Sequence, residues 1–219
     1  MEIVRIPGRF NGPPDSGNGG YLGGLLAPEG AVTRVVLRSP SPLETPLRWS
    51  AGRLYDGDTL LAEVSEGAFQ RPTPPPVAED QATIASKRFP GTGGSPFDGC
   101  FVCGTSREDG LRIAPGEVEP GLVAAPWTPD HSPSLTPALL WAVMDCPGGW
   151  ALPGFLGSPG LLGTMTATIH ALPEPGERCV VVGRADGDQG RKSLAATAVY
   201  GEDGRLLGRA EEIWIRFAR

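Results

Sequence analysis

Basic charge is scarce in this sequence: 19 lysines and arginines stand against 25 aspartates and glutamates, a formal net charge of −6. No stretch is strongly basic, so nucleic acid is not an expected partner. Thiols are scarce too, and four cysteines in 219 residues do not make a disulfide scaffold. The longest apolar run, around Leu135 to Met144, falls short of the ~20 residues a transmembrane helix needs. No membrane partner is therefore expected. Met1-Glu2-Ile3-Val4-Arg5 leads into Pro7 and Gly8 instead of the apolar core of a secretory leader, so the cytoplasm is the expected compartment. Ser16 and Ser134 lie in no nucleophile-elbow or triad context, which disfavours a serine hydrolase.

Glycine and proline, by contrast, are plentiful at 32 and 24 residues, and they punctuate strand-like runs without a collagen-like period. A hydrophobic fraction of 40% supports a packed core. Gln70 to Gly99 reads as an external connector, because the prolines of Arg71-Pro72-Thr73-Pro74-Pro75-Pro76 hold it extended. Within it, Asp80 to Arg88 suits a short helix packed on the body. The expected organisation is a trimmed first half over residues 1–69, a linker over 70–99 and a second half over 100–219.

The two halves repeat one another. Val32 to Leu37 corresponds to Thr164 to Ile169, and the Asp/Gly-turn hairpin Ala51 to Glu63 corresponds to Ala198 to Arg209. The second half carries an extra strand pair, Cys179 to Arg184 and Ser193 to Val199, where the first half reads as trimmed. Thr164, Thr166, Thr168 and His170 alternate with Met165, Ala167 and Ile169, the pattern of an antiparallel strand. A helix precedes each repeat. The second starts with Thr136 as N-cap and Pro137 at its first position, is apolar on every side through Met144, and is expected to break or bend at Pro147-Gly148. The first runs Asn18-Gly19-Gly20-Tyr21-Leu22-Gly23-Gly24-Leu25-Leu26, where glycines lower helix propensity and so imply close packing or a ligand near the backbone. The fold class is α+β.

Asp145 is the only charged side chain from residue 132 to residue 169, on a helix that is otherwise apolar. Carboxylates are seldom buried without a partner, and desolvation raises their pKa, which marks a functional candidate. The competing reading is an acid at a helix end that only bonds the amides near Gly148 and Gly149.

The buried helix opened by Gly-Gly, together with Cys100-Phe101-Val102-Cys103-Gly104, Gly110-Leu111-Arg112-Ile113 and Trp141 to Trp150, resembles the thioesterase-like hotdog superfamily. The likeness covers nearly the whole chain outside the connector. It implies a double hotdog: two antiparallel sheets side by side, each wrapped around a central helix. It also implies an acyl-CoA thioesterase site in which helix-start amides polarise the thioester carbonyl and an acid from the other half activates water. Gly19 and Gly20 match that turn, with Asn18 where the family often has His. The family's acid lies eight residues after the second glycine. Here Pro28 occupies that place in the first half, while Pro137 stands eight residues before Asp145, where the second half would carry its glycine. One intact combination remains, Gly19 and Gly20 with Asp145.

Asn18, Tyr21, Trp141, Arg191 and Lys192 are expected to bind substrate, the last two as cations for coenzyme A phosphates. The expected partner is an acyl-CoA or other acyl thioester, with a homodimer of the fused pair left open. A non-catalytic acyl or acyl-CoA binding protein is the alternative. A dehydratase is disfavoured because it usually wants a His paired with an acid, and neither helix has one nearby. His131 is placed beside the pocket, and His170 is assigned to structure. Cys100-x-x-Cys103 has half the pattern of a zinc site, but no second CxxC or His pair follows. Cys146 and Cys179 fall in a helix and a strand, so no metal and no cofactor is expected.

Overall fold

The structure, a computed structural model, describes residues 2–93, 95–130 and 134–217. The alternating segments become eleven strands: β1 (Glu2–Val4), β2 (Thr33–Leu37), β3 (Leu47–Ser50), β4 (Arg53–Asp56), β5 (Thr59–Glu66), β6 (Gly116–Glu119), β7 (Leu122–Trp127), β8 (Gly160–Ile169), β9 (Cys179–Gln189), β10 (Lys192–Tyr200) and β11 (Leu206–Arg216). Among the described residues three α-helices accompany them, α1 (Gly19–Leu26), α2 (Glu79–Ser86) and α3 (Pro137–Ala151).

Two sheets are expected from the sequence, but the strands form one antiparallel sheet in the order β1-β3-β4-β5-β2-β8-β11-β10-β9-β7-β6. The reason is at the centre. The repeated strands β2 and β8 pair with each other, Thr33 opposite Ala167 and Val35 opposite Met165, so each half satisfies the other's edge. The first half is also less trimmed than the sequence suggests. Its β3–β4 hairpin stands where β9–β10 stands in the second half, shortened to four residues per strand against eleven and nine.

Helix α3 crosses the inner face of the second half, touching β7 to β11. It runs through Pro147 without ending there. Proline removes one hydrogen bond, but every residue from Ala138 to Ala151 is buried, and that packing holds the last turn. The other face of β7, β9 and β10 is covered by the connector, which is not external. Val77 and Ala82 pack on Leu122, Val180, Val182 and Tyr200, while Val181 and Val199 face the main core, as the two-residue strand period dictates. Polar ties hold the connector down: the Gln70 and Arg71 amides donate to Glu211 at 2.8 and 2.6 Å, and Tyr200 donates to the Pro74 carbonyl at 2.6 Å.

Helix α1 lies against α3 with backbones in contact. A Cβ on Gly20 would sit 2.6 Å from the Trp141 carbonyl oxygen, and one on Gly24 would sit 2.5 Å from the Ala138 Cα. An exposed Gly→Ala change in a helix stabilises by about 1 kcal/mol. Gly24→Ala should do the opposite and lower stability by about 1–3 kcal/mol in urea unfolding, because the helices must part.

Next to Glu211, Glu212 turns inward beneath α3 and is 0% exposed. It accepts from Trp214 Nε1 at 2.6 Å and from the Thr197 hydroxyl at 3.2 Å. Burial, then the charge of Asp145, push its carboxyl well above the usual range, against those two hydrogen bonds and Arg71. The folded chain thus keeps a proton that the unfolded chain releases above about pH 4.3, and stability falls as pH rises from there toward the folded pKa. Glu212→Gln should leave the calorimetric Tm near wild type at about pH 4 and raise it at about pH 8. A loss of stability that is larger at about pH 8 than at about pH 4 would mean that the carboxylate is needed in its charged form.

Candidate active site

The N-terminus of α1 and the middle of α3 meet over a cavity of about 270 Å³. Asn18 caps α1, its Oδ1 accepting from the Tyr21 amide at 2.8 Å. That sets the direction of the first turn, whose amides have no intrahelical partner. Gly20 donates its amide to Asp145 Oδ2 at 2.8 Å. Asp145 is 3% exposed. Burial pushes its carboxyl up to about 7; the Gly20 amide opposes this, the Cys100 charge adds to it, and the Asn18 side chain favours the charged form.

Asn18, Gly19 and Asp145 line the cavity together. Gly20 does not present its amide to a ligand. Expected as an oxyanion donor, Gly20 instead gives that N–H to Asp145, because α1 and α3 cross closely. That bond holds Asp145 in one orientation, and Gly19, also at the helix start, lines the cavity. The partial positive charge at this terminus favours an anionic group.

Two of the predicted substrate contacts lie in the core. Tyr21 stacks on Phe10 with ring centroids 3.8 Å apart, and Trp141 is buried in the α1–α3 crossing against Gly23 and Gly24; neither lines the cavity. Arg191 and Lys192 form the exposed tip between β9 and β10. They do not line the cavity, although Lys192 pairs with Ile215, which does. His170 is exposed at the end of β8, and His131 lies outside the described residues.

Several contributors carry no signal in the sequence, Phe97 and Trp214 among them. They join Trp150 and Phe155 in an aromatic wall that closes one side, its neighbouring rings 5.3–5.5 Å apart between centroids. Ser41 lines the cavity with a buried hydroxyl that has no hydrogen-bond partner among the described residues. Arg38 stands at the same cavity, held by Glu63 at 2.7 Å. Ser41 and Arg38 follow β2 in a Ser/Pro turn, which gives no sequence signal of its own.

Three cysteines that their sequence positions keep apart, two in a turn and one in a helix, come together in the fold. The sulfurs of Cys100, Cys103 and Cys146 all lie within 4.8 Å of each other and are the residues here that could hold a metal. Hydrogen bonds from Cys103 and Cys146 push the Cys100 thiol well below its usual range, and the same sharing pushes those two thiols up. Cys179 stands apart in β9, donating to the Glu177 carbonyl.

No protein-family model matches the chain, and no curated protein sequence matches it. Solved structures do. A conserved hot dog fold protein of Alicyclobacillus acidocaldarius superposes with a TM-score of 0.65 at 14% identity, over 99% of this chain and 93% of that one. A protein named as a thioesterase from Novosphingobium aromaticivorans gives 0.66 at 14%, over 99% and 95%. The tesB protein of Mycobacterium avium subspecies paratuberculosis gives 0.62 at 13%, over 99% and 96%. Together with the antiparallel sheet and its buried helix, these likenesses establish that the chain has the hotdog fold.

Proposed function

We propose that this protein is a thioester hydrolase, with an acyl-CoA or related acyl thioester as substrate, working at one composite site between two fused hotdog halves. Residues 1–69 supply the helix start in this double hotdog, residues 100–219 supply the acid, and the connector over 70–99 joins them. The observation that carries the reading is Asp145: a buried carboxylate beside a helix N-terminus at a largely apolar cavity. An unpaired carboxylate there would be costly, and the Gly20 amide holds it in one orientation.

In this mechanism the acyl end enters along the aromatic wall. Asp145 takes a proton from a water as its oxygen attacks the thioester carbonyl carbon. The Gly19 amide and the helix terminus stabilise the developing oxyanion. Collapse of the tetrahedral species breaks the C–S bond, and the thiolate leaves and takes up the proton. A cavity of about 270 Å³ suits the acyl and thioester portion, so the nucleotide end of coenzyme A lies outside it, toward Arg38, Arg191 and Lys192. No described helix is long and apolar enough to cross a membrane, and the cytoplasm is the compartment that matches such a substrate. Engagement of the Gly20 amide by the acid favours a second reading, a non-catalytic acyl-thioester binding protein, because one expected oxyanion donor is taken.

A thiol-release assay over a panel of acyl thioesters separates the two. Asp145→Asn keeps an acceptor for Gly20 but cannot take a proton. It should lower hydrolysis by about a hundredfold or more while leaving acyl-CoA affinity within a few-fold. Unchanged turnover in the variant would remove Asp145 from the chemistry. Binding by wild type without hydrolysis of any thioester would favour the binding protein.

A further inference from the structure

The segment that follows the connector places a tight CxxC turn against the middle of α3, and three thiols converge that are separated by up to 46 positions in sequence. Cys100 and Cys146 stand 3.6 Å apart, sulfur to sulfur, and Cys103 completes a triangle with no side above 4.8 Å. All three are buried, and all three line the cavity that holds Asp145. We propose that Cys100, Cys103 and Cys146 form a three-thiolate site for a thiophilic divalent cation, zinc being the best match, with the fourth coordination position open to the cavity.

The geometry favours a cation over a disulfide. Tetrahedral zinc with bonds of about 2.3 Å to sulfur sets its thiolates about 3.8 Å apart. The observed 3.6 Å and the 4.8 Å limit lie around that separation. A disulfide needs sulfurs about 2.05 Å apart and would leave one of the three thiols over.

The CxxC turn is built as such sites require. Gly104 donates its amide to the Cys100 carbonyl at 2.9 Å, closing the turn. A side chain at Gly104 would strike the Asp98 and Cys100 carbonyls. Leu111 and Ile113 brace the turn from behind, donating to the Phe101 and Val102 carbonyls at 2.8 and 2.9 Å. The third sulfur is on a helix buried on all sides, so packing holds it facing the turn.

No histidine or carboxylate joins the cluster among the described residues. A site with three protein ligands is of the open kind, completed by water or by a ligand in the cavity. On ligation each thiol releases its proton to solvent and its sulfur lone pair forms the metal bond, with no change of oxidation state. This site does not depend on the hydrolase reading, since the cluster stands whether or not Asp145 acts on a thioester.

The test uses the full chain, reduced, stripped with chelator and titrated with Zn²⁺ or Co²⁺. Wild type should bind zinc one to one by elemental analysis. Bound Co²⁺ should show near-ultraviolet thiolate-to-cobalt charge transfer with the intense visible bands of a tetrahedral ion. Cys100→Ser, Cys103→Ser and Cys146→Ser should each weaken zinc binding by at least about a hundredfold, while Cys179→Ser should match wild type. If a serine variant does not fold, X-ray absorption of zinc-loaded wild type decides the matter: three sulfurs and one lighter ligand are expected. Failure of wild type to bind either ion overturns the proposal. So does full binding by folded Cys146→Ser, or a disulfide found by mass spectrometry in a chain that takes up no metal.

Discussion

The contact between α1 and α3 is the constraint on which the site depends. Two helix backbones approach closely enough that Gly20 meets the Trp141 carbonyl and Gly24 meets the Ala138 Cα. At that separation the Gly20 amide, in the first turn of α1, donates a 2.8 Å hydrogen bond to a carboxylate two turns along α3. The buried acid is tolerated because this donor exists, and the donor is in reach because the crossing has no side chains between the backbones. Both glycines are required by packing, and the Gly20 amide also holds Asp145.

A second consequence follows from strand alternation in β11. Glu211 and Glu212 are neighbours in sequence and face opposite sides of the sheet. Glu211 receives the Gln70 and Arg71 amides and so fastens the connector to the outer face. Glu212 enters the space under α3, where only Gly148 leaves room for it, and is held by Trp214 and Thr197. Adjacent carboxylates of one strand therefore serve its two faces: Glu211 fastens the connector, and Glu212 packs against Gly148 of α3, both out of water.

The asymmetry of the two halves has a physical use. The first half has short outer strands and a glycine-rich helix that can be approached closely. The second has long strands and a long apolar helix able to hold an acid and a thiol out of water. The cavity lies where these differences meet, with residues from α1, the turn after β2, the CxxC segment and α3 on its walls.

Patterns with a short period were readable from the sequence alone: the alternating strands, the Thr136-Pro137 helix start, the repeat of hairpins, the lone acid Asp145 and the Gly19-Gly20 turn. Each is a local regularity of side-chain spacing or backbone preference, so one segment contains all the information. What only the tertiary structure decided depends on distance between remote segments. The β2–β8 pairing made one sheet of two, and the folding-back of the connector gave the outer face its cover. Burial on every side carried α3 through Pro147. Cys146 came beside Cys100 and Cys103 through a contact across 46 positions. Tyr21 and Trp141 went to the core and Gly20 turned its amide to Asp145 for the same reason: the helix crossing, which no spacing within either helix encodes, determines what each residue faces.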